Sequence, residues 1–184
     1  MIRTMQARQT ARRGFLIGSA AALVLPAVTG TARAAAQARG LSLVHTHTGE
    51  RIEIDYAVDG GYVPEALQAM NRFLRDHYSG EVGNIDPLLL DQLHALRQRV
   101  GGAGPFEVIS GYRCPATNDR LRRTRSGGVA TRSLHMDGRA IDVRLRGVPM
   151  EALRDAALEM RGGGVGYYAR DRFVHLDTGR VRRW

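Results

Sequence analysis

Short apolar segments separated by glycine-rich breaks limit what this chain can fold into. Breaks at 80–83, 101–104 and 162–164 each interrupt the apolar pattern, so no single element can be long. Between the breaks, apolar residues recur either at every second position or at every third and fourth, and these two spacings distinguish strands from helices. The chain is therefore predicted to combine short helices with short strands.

The apolar spacing also predicts the order of these elements. Alternating apolar and polar residues predict strands within 41–62, with a turn at Thr48-Gly49-Glu50. Helices are predicted at 64–77, 86–100, 116–123 and 149–160, and further strands at 106–110, 141–145, 165–168 and 173–178. The predicted fold class is α+β, with a small central antiparallel sheet flanked by helices.

Residues 1–34 have the pattern of an export signal. A basic start leads into an apolar run at 15–28, which is followed by small residues around Ala32. Arg12-Arg13, two residues before Phe15-Leu16, resembles a twin-arginine signal and implies export of a folded protein. An ordinary secretion signal and an uncleaved anchor remain open as alternatives. We expect a signal at 1–34, a linker at 35–40 and a single domain at 41–184.

Composition bears on whether the chain binds nucleic acid and whether a disulfide can stabilise it. The formal net charge is +9, and residues 1–34 contain five arginines and no acid, so subtracting these five charges leaves +4. The remaining arginines are scattered among acids, which does not favour a nucleic-acid binder. Cys114 is the only cysteine, so an internal disulfide is excluded. We expect Cys114 to be a packed small residue.

Three residues late in the chain have the chemistry of a metal site. His135 and Asp142 are separated by Gly138, which permits a tight bend, and His175 lies in a later predicted strand. Two imidazoles and one carboxylate form a ligand set for a catalytic zinc ion, which keeps a fourth position for water. Taken alone, a single histidine or aspartate is more often a surface or capping residue. His45 and His47, on one face of a predicted edge strand, are a weaker pair of possible ligands.

Ordered motifs along the chain resemble the YcbK-like murein endopeptidases. These belong to the zinc peptidases named for lysostaphin, D-Ala-D-Ala metallopeptidases and sonic hedgehog. The resemblance covers about residues 41–184 and rests on Ser110-Gly-Tyr-Arg-Cys-Pro115, Ser133-Leu-His-Met-Asp-Gly-Arg-Ala-Ile-Asp-Val143, Gly163-Gly-Val-Gly-Tyr-Tyr168, Phe173-Val-His-Leu-Asp177 and Val181-Arg-Arg-Trp184. It implies a fold of the hedgehog/D-Ala-D-Ala-peptidase type. It also implies a periplasmic or envelope enzyme that cuts peptidoglycan cross-links between D-centre residues.

The resemblance assigns roles to individual residues. His135, Asp142 and His175 match the family's three zinc ligands, and Arg113 matches an arginine that stabilises the substrate carbonyl or carboxylate. Cys114 replaces the usual serine of that motif. The glutamate or histidine that many relatives place shortly before the last ligand is absent here. Asp177 is therefore expected either to act as the base or to orient a ligand, and Asp171 is a weaker candidate for the base.

These assignments predict a zinc-dependent murein endopeptidase that hydrolyses peptide cross-links during cell-wall remodelling. The expected partners are peptidoglycan stem peptides, without nucleic acid and without stable membrane insertion of the mature chain, which is expected to be a monomer. Two alternatives remain open. One is a carboxypeptidase of the D-Ala-D-Ala type, and the other is a non-enzymatic peptidoglycan-binding protein that retains the zinc fold.

Overall fold

A sheet of eight strands runs through residues 37–124 and 129–184, which are the residues that the computed structural model describes. The strands are β1 Ala38–His45, β2 Arg51–Val58, β3 Gly61–Tyr62, β4 Phe106–Ser110, β5 Ala140–Leu145, β6 Gly164–Tyr168, β7 Phe173–Asp177 and β8 Arg182–Arg183. Their order across the sheet is β3-β2-β1-β4-β5-β7-β6-β8. The helices in the same residues are α1 Pro64–Phe73, α2 Pro87–Val100, α3 Pro115–Thr124 and α4 Met150–Met160, with a short 3-10 turn at Leu134–Asp137.

The α+β class is confirmed, but the predicted small antiparallel sheet is wrong. Strand β1 is parallel to β4, and β6 is parallel to β8, whereas the other neighbouring pairs are antiparallel. A parallel neighbour needs a long crossover connection. Helices α1 and α2 lie in such a connection between β1 and β4. Apolar spacing located most of the strands, but it carries no information on the direction in which they pair.

The N-terminal boundary of the sheet differs from the prediction. Ala38 pairs with Val58 and Gly40 pairs with Asp55, so the last three residues of the predicted linker at 35–40 belong to β1. The predicted export signal, with its twin-arginine motif, lies outside the described residues.

Helix α1 ends at Phe73, four residues before the predicted end at His77. The carbonyl of Leu74 accepts the backbone N–H of Tyr112 at 2.8 Å instead of continuing the helix. The chain after α1 is therefore joined to the turn that follows β4. This junction matters for the site because Arg113 lies in that turn.

Helix α2 supplies a large part of the core. Its leucines at 89, 90, 93 and 96 are buried, and each contributes about 1.5–3 kcal/mol. The Asp86 side chain caps its first turn by accepting the N–H of Leu88, and Gly101 ends it in the left-handed conformation with φ 67°. No helix within the described parts of the chain is long and apolar enough to cross a membrane.

Three histidines gather where β1 ends and α1 has just finished. The ring centroids of His45 and His77 lie 5.3 Å apart, and the rings of His47 and His77 stack at 4.2 Å. Neither Nε2 of His45 nor Nε2 of His77 has a hydrogen-bond partner among the described residues. Burial, reinforced by the neighbouring histidines, lowers the pKa of His45 and of His77 to about 4. Both rings are therefore neutral in the folded protein near neutral pH.

The His77→Phe variant should flatten the dependence of stability on pH. Because the folded-state pKa of His77 lies below its ordinary value of 6.5, the unfolded chain binds the proton first. The stability that the neutral ring contributes is therefore complete above pH 6.5 and is lost as the pH falls towards 4. We expect wild type to lose roughly 1–2 kcal/mol more than the variant over this range, after allowance for solvent screening. Urea unfolding at pH 7 and pH 4.5 measures the difference, and equal losses in both proteins would contradict it.

Candidate metal centre

Two neighbouring strands bring together the carboxylate and one imidazole of the predicted trio. Asp142 on β5 lies directly opposite His175 on β7 in the antiparallel register. Residues opposite each other on neighbouring strands project from the same face of a sheet. Both side chains are buried, with 6% and 8% of their residues' surface exposed. The pairing of β5 with β7, which the sequence did not predict, therefore brings Asp142 and His175 into contact.

The third residue, His135, comes from the 3-10 turn before β5. Gly138 closes this turn in the left-handed conformation with φ 65°, and its N–H bonds to the carbonyl of His135 at 3.3 Å. A Cβ atom at position 138 would collide with the backbone carbonyl of Asn84. Glycine is thus required both for the conformation and for the close approach, as the sequence predicted for a bend between the two ligands.

Two of the three separations between the donor atoms match a tetrahedral metal site, and the third is shorter. His135 Nε2 lies 3.3 Å from His175 Nδ1 and 3.3 Å from Asp142 Oδ1, and His175 Nδ1 lies 2.8 Å from Asp142 Oδ1. Metal–ligand bonds of about 2.0–2.1 Å in tetrahedral geometry separate the donors by roughly 3.3 Å. Within 37–124 and 129–184, this is the one group of three such residues close enough to hold an ion. The predicted residues therefore fit zinc.

Hydrogen bonds on the far side of each ring leave the correct nitrogen for a metal. His135 Nδ1 donates to the carbonyl of Gly111 at 2.7 Å, which leaves the Nε2 lone pair facing the other donors. His175 Nε2 donates to Asp177 Oδ2 at 3.1 Å, which directs Nδ1 towards the other donors. Such outer hydrogen bonds fix the tautomer and the ring orientation of histidine ligands.

Asp177 accepts the hydrogen bond from His175 Nε2 and is fully buried, with no exposed surface. Its oxygens also accept the backbone N–H groups of Gly164 and Gly179 and two hydrogen bonds from the Arg182 guanidinium, at 2.7–3.0 Å. It is absent from the lining of the groove described below. Of the two roles left open for Asp177, this geometry favours orienting His175 over receiving a proton from water.

The four ionisable groups form a charged, hydrogen-bonded cluster. Burial lowers the pKa of His135. Although burial opposes the charged forms, contacts with the two imidazoles hold the pKa of Asp142 well below its usual range, and hydrogen bonds to Asp142 and Asp177 raise the pKa of His175 to about 9. Hydrogen bonds from His175 and Arg182 likewise hold the pKa of Asp177 low despite burial. The cluster thus favours a positive charge beside Asp142, the position that the donor geometry offers to a metal.

Arg113 reaches the same place from the turn after β4. One guanidinium nitrogen lies 3.9 Å from Asp142 Oδ2, and its backbone N–H donates to the carbonyl of His135 at 3.1 Å. The guanidinium also donates to Asn118 at 3.3 Å and to Ser110 at 3.4 Å. Arg113 therefore lies beside the Asp142 carboxylate and also lines the open side of the site.

A buried acid that the sequence did not single out fixes this turn. Asp76, with 1% of its surface exposed, accepts the N–H of Cys114 at 2.9 Å and the N–H of Tyr78 at 2.9 Å. Cys114 is buried beside it, which confirms the prediction of a packed small residue. Position 111 has no room for a side chain, because a Cβ atom would lie 2.6 Å from the carbonyl oxygen of Leu74. No local pattern could have revealed Asp76, since its partner lies 38 residues away.

A groove of about 770 Å³ opens from the three donors. Asp171, the weaker candidate for the base, is exposed in the turn between β6 and β7 and lines this groove. Trp184 also lines it, with its ring centroid 5.2 Å from that of His175 and its Nε1 donating to the Tyr168 hydroxyl at 2.8 Å. His45 and His47 do not belong to this site, because they cluster with His77 instead.

Comparison with known proteins places most of the chain in one family. The family model described as Peptidoglycan L,D-endopeptidase MepK matches residues 33–184. The chain is 42% identical over 171 residues to the Peptidoglycan L,D-endopeptidase MepK of Escherichia coli strain K12, which covers 93% of this chain and 92% of that protein. It is 38% identical over 147 residues to the Probable peptidoglycan L,D-endopeptidase MepK of Haemophilus influenzae, which covers 79% and 78%. No solved structure matches the chain. The chain therefore belongs to the MepK family of peptidoglycan L,D-endopeptidases.

Proposed function

We propose that this protein is a zinc-dependent endopeptidase that hydrolyses L,D peptide cross-links of peptidoglycan. The observation that carries the proposal is the donor triangle of His135, Asp142 and His175 at the end of an open groove. The relatives are named for an L,D bond, which joins an L-centre to a D-centre. This name replaces the expectation of a bond between two D-centres.

Each residue around the donor triangle has its own role in the proposed hydrolysis. When bound, zinc supplies a Lewis acid and makes water nucleophilic near neutral pH. Arg113 presents a rigid guanidinium beside Asp142, where it can stabilise negative charge that develops on the scissile carbonyl oxygen. Asp177 keeps His175 in the tautomer that offers Nδ1. Among the described residues that line the groove, Asp142 and Asp171 carry carboxylates. Because Asp142 belongs to the donor triangle, we assign the transfer of the proton to Asp171.

The same proposal includes the place of action. Peptidoglycan cleavage requires the mature chain in the periplasm or cell envelope, and the arginine pair at 12–13 supports export through a twin-arginine-type signal. We propose that the mature chain acts there as a monomer, without nucleic acid and without stable insertion in the membrane. The positive charge that remains after residue 34 suits an anionic polymer.

Purified protein with zinc should convert muropeptide dimers joined by an L,D cross-link into monomers. A chelator, or the His175→Ala substitution, should lower this rate by more than the roughly 10–100-fold that loss of an outer hydrogen-bond partner causes, because a ligand itself is removed. His47→Ala is the matched control, since His47 lies outside the site, and it should keep full activity. Mass spectrometry of the digests measures the products. Release of a single terminal alanine would indicate a carboxypeptidase, and unchanged dimers would indicate a binding protein; both results would contradict the proposal.

The variants Asp177→Asn and Asp171→Asn should separate metal orientation from proton transfer. Asp177→Asn removes the carboxylate that fixes the His175 tautomer, so the zinc Kd should rise about 10–100-fold. Asp171→Asn should leave the zinc Kd unchanged and lower kcat by about 10²–10⁴-fold. Competition with a chromophoric chelator gives the Kd, and turnover at saturating zinc gives kcat. An unchanged zinc Kd in Asp177→Asn would rule out the orienting role.

A further inference from the structure

The charges along the groove do not balance. Four arginines line it together with two acids, Asp142 and Asp171; the arginines are Arg113, Arg132, Arg170 and Arg182. Arg182 forms an ion pair with Asp177 at 2.7 Å, and Arg113 forms one with Asp142 at 3.9 Å. A bound divalent metal would add further positive charge next to Asp142. Of the remaining groups, Arg132 and Arg170 carry two positive charges and Asp171 one negative charge, so one surplus positive charge falls on this pair of arginines.

Arg132 and Arg170 come from different parts of the chain. Arg132 immediately precedes the turn that carries His135, and Arg170 lies in the connection between β6 and β7. Both are exposed, and neither forms an ion pair with an acidic side chain in the described residues. Other surface arginines, such as Arg144 and Arg146 with Glu107, do have acidic partners. The two guanidiniums in the groove are thus available to a ligand.

The chemistry of these two side chains selects a particular ligand group. A peptide backbone is uncharged, so a cationic groove gains little from binding backbone alone. A guanidinium presents a planar set of N–H donors that matches a carboxylate with two parallel hydrogen bonds. Repulsion between like charges in an empty groove is relieved when an anion binds between them. A carboxylate outside the scissile bond satisfies both conditions.

We infer that Arg132 and Arg170 bind a free carboxylate on the stem peptide next to the scissile bond. This inference rests on the proposed endopeptidase function and names the substrate class of the same groove. The enzyme then prefers cross-links whose neighbouring residue carries an unmodified carboxylate, and it cuts their carboxamide forms slowly. Arg132 and Arg170 are specificity-determining residues, whereas the zinc ligands and Arg113 act on the bond itself.

Two synthetic peptide dimers with the same L,D bond test the inference. They differ only in one group beside that bond, which is a carboxylate in one dimer and a carboxamide in the other. Wild type should cleave the carboxylate form with a kcat/KM at least about tenfold higher. Arg132→Gln and Arg170→Gln should each raise KM for the carboxylate form about tenfold and change kcat/KM for the carboxamide form little. The double variant should show no preference.

Arg51→Gln is the control, because it removes the same charge from an exposed position on β2, away from the groove. It should keep the wild-type preference. Equal cleavage of both dimers by wild type, or a full preference in the double variant, would overturn the inference while leaving the endopeptidase proposal intact. Equal loss of activity on both dimers in the arginine variants would also overturn it, since that indicates a general structural role. If wild type cleaves neither dimer, the endopeptidase proposal fails and the inference fails with it.

Discussion

The hydrogen bond between His175 and the buried carboxylate of Asp177 is the constraint on which the site depends. An unpaired buried charge would cost several kcal/mol, and here Arg182 and two backbone N–H groups compensate it. These partners come from β6, from the turn after β7 and from β8, so one carboxylate joins three parts of the chain. The cluster holds the ring of His175 with its Nδ1 towards Asp142 and His135. The position of His175 in the donor triangle therefore depends on the hydrogen bonds that Asp177 makes at this end of the sheet.

Glycines provide the space that Asp177 and its partners occupy. A Cβ atom at position 164 would collide with the carboxylate of Asp177 and with Arg182, and one at position 163 would collide with the backbone carbonyl of Asp177. Gly166 leaves room for the ring of Trp184, which lies over His175 at the mouth of the groove. Gly163 and Gly164, in the glycine run after α4, therefore leave room for Asp177, and Gly166 leaves room for Trp184. The groups that line the groove and the groups that hold the His175 ring thus come from the same few residues of β6, β7 and β8.

Local patterns in the sequence contained much of the fold and part of the site. Apolar spacing predicted the helices and most strands, because burial imposes a period on each element separately. Direction of pairing depends on crossover length and on contacts between distant residues, so the parallel pairs β1–β4 and β6–β8 were missed. The grouping of His135 with Asp142 could be predicted because both residues lie in one short motif around Gly138. Asp76 could not be recognised, since its role appears only when the chain after α1 meets the turn before α3. The role of Asp177 needed its burial and its four other hydrogen bonds, none of which a one-dimensional pattern contains.

The central claim is that His135, Asp142 and His175 form a metal site with nitrogen donors fixed by their outer hydrogen bonds. A crystal structure of the zinc-loaded protein, with anomalous diffraction data at the zinc edge, tests this claim most directly. The account predicts one strong zinc peak bonded to His135 Nε2, an oxygen of Asp142 and His175 Nδ1 at about 2.0–2.2 Å, with Asp177 still bound to His175 Nε2. A zinc peak at His45, His47 and His77 instead, or zinc bonded through the opposite ring nitrogens, would contradict it.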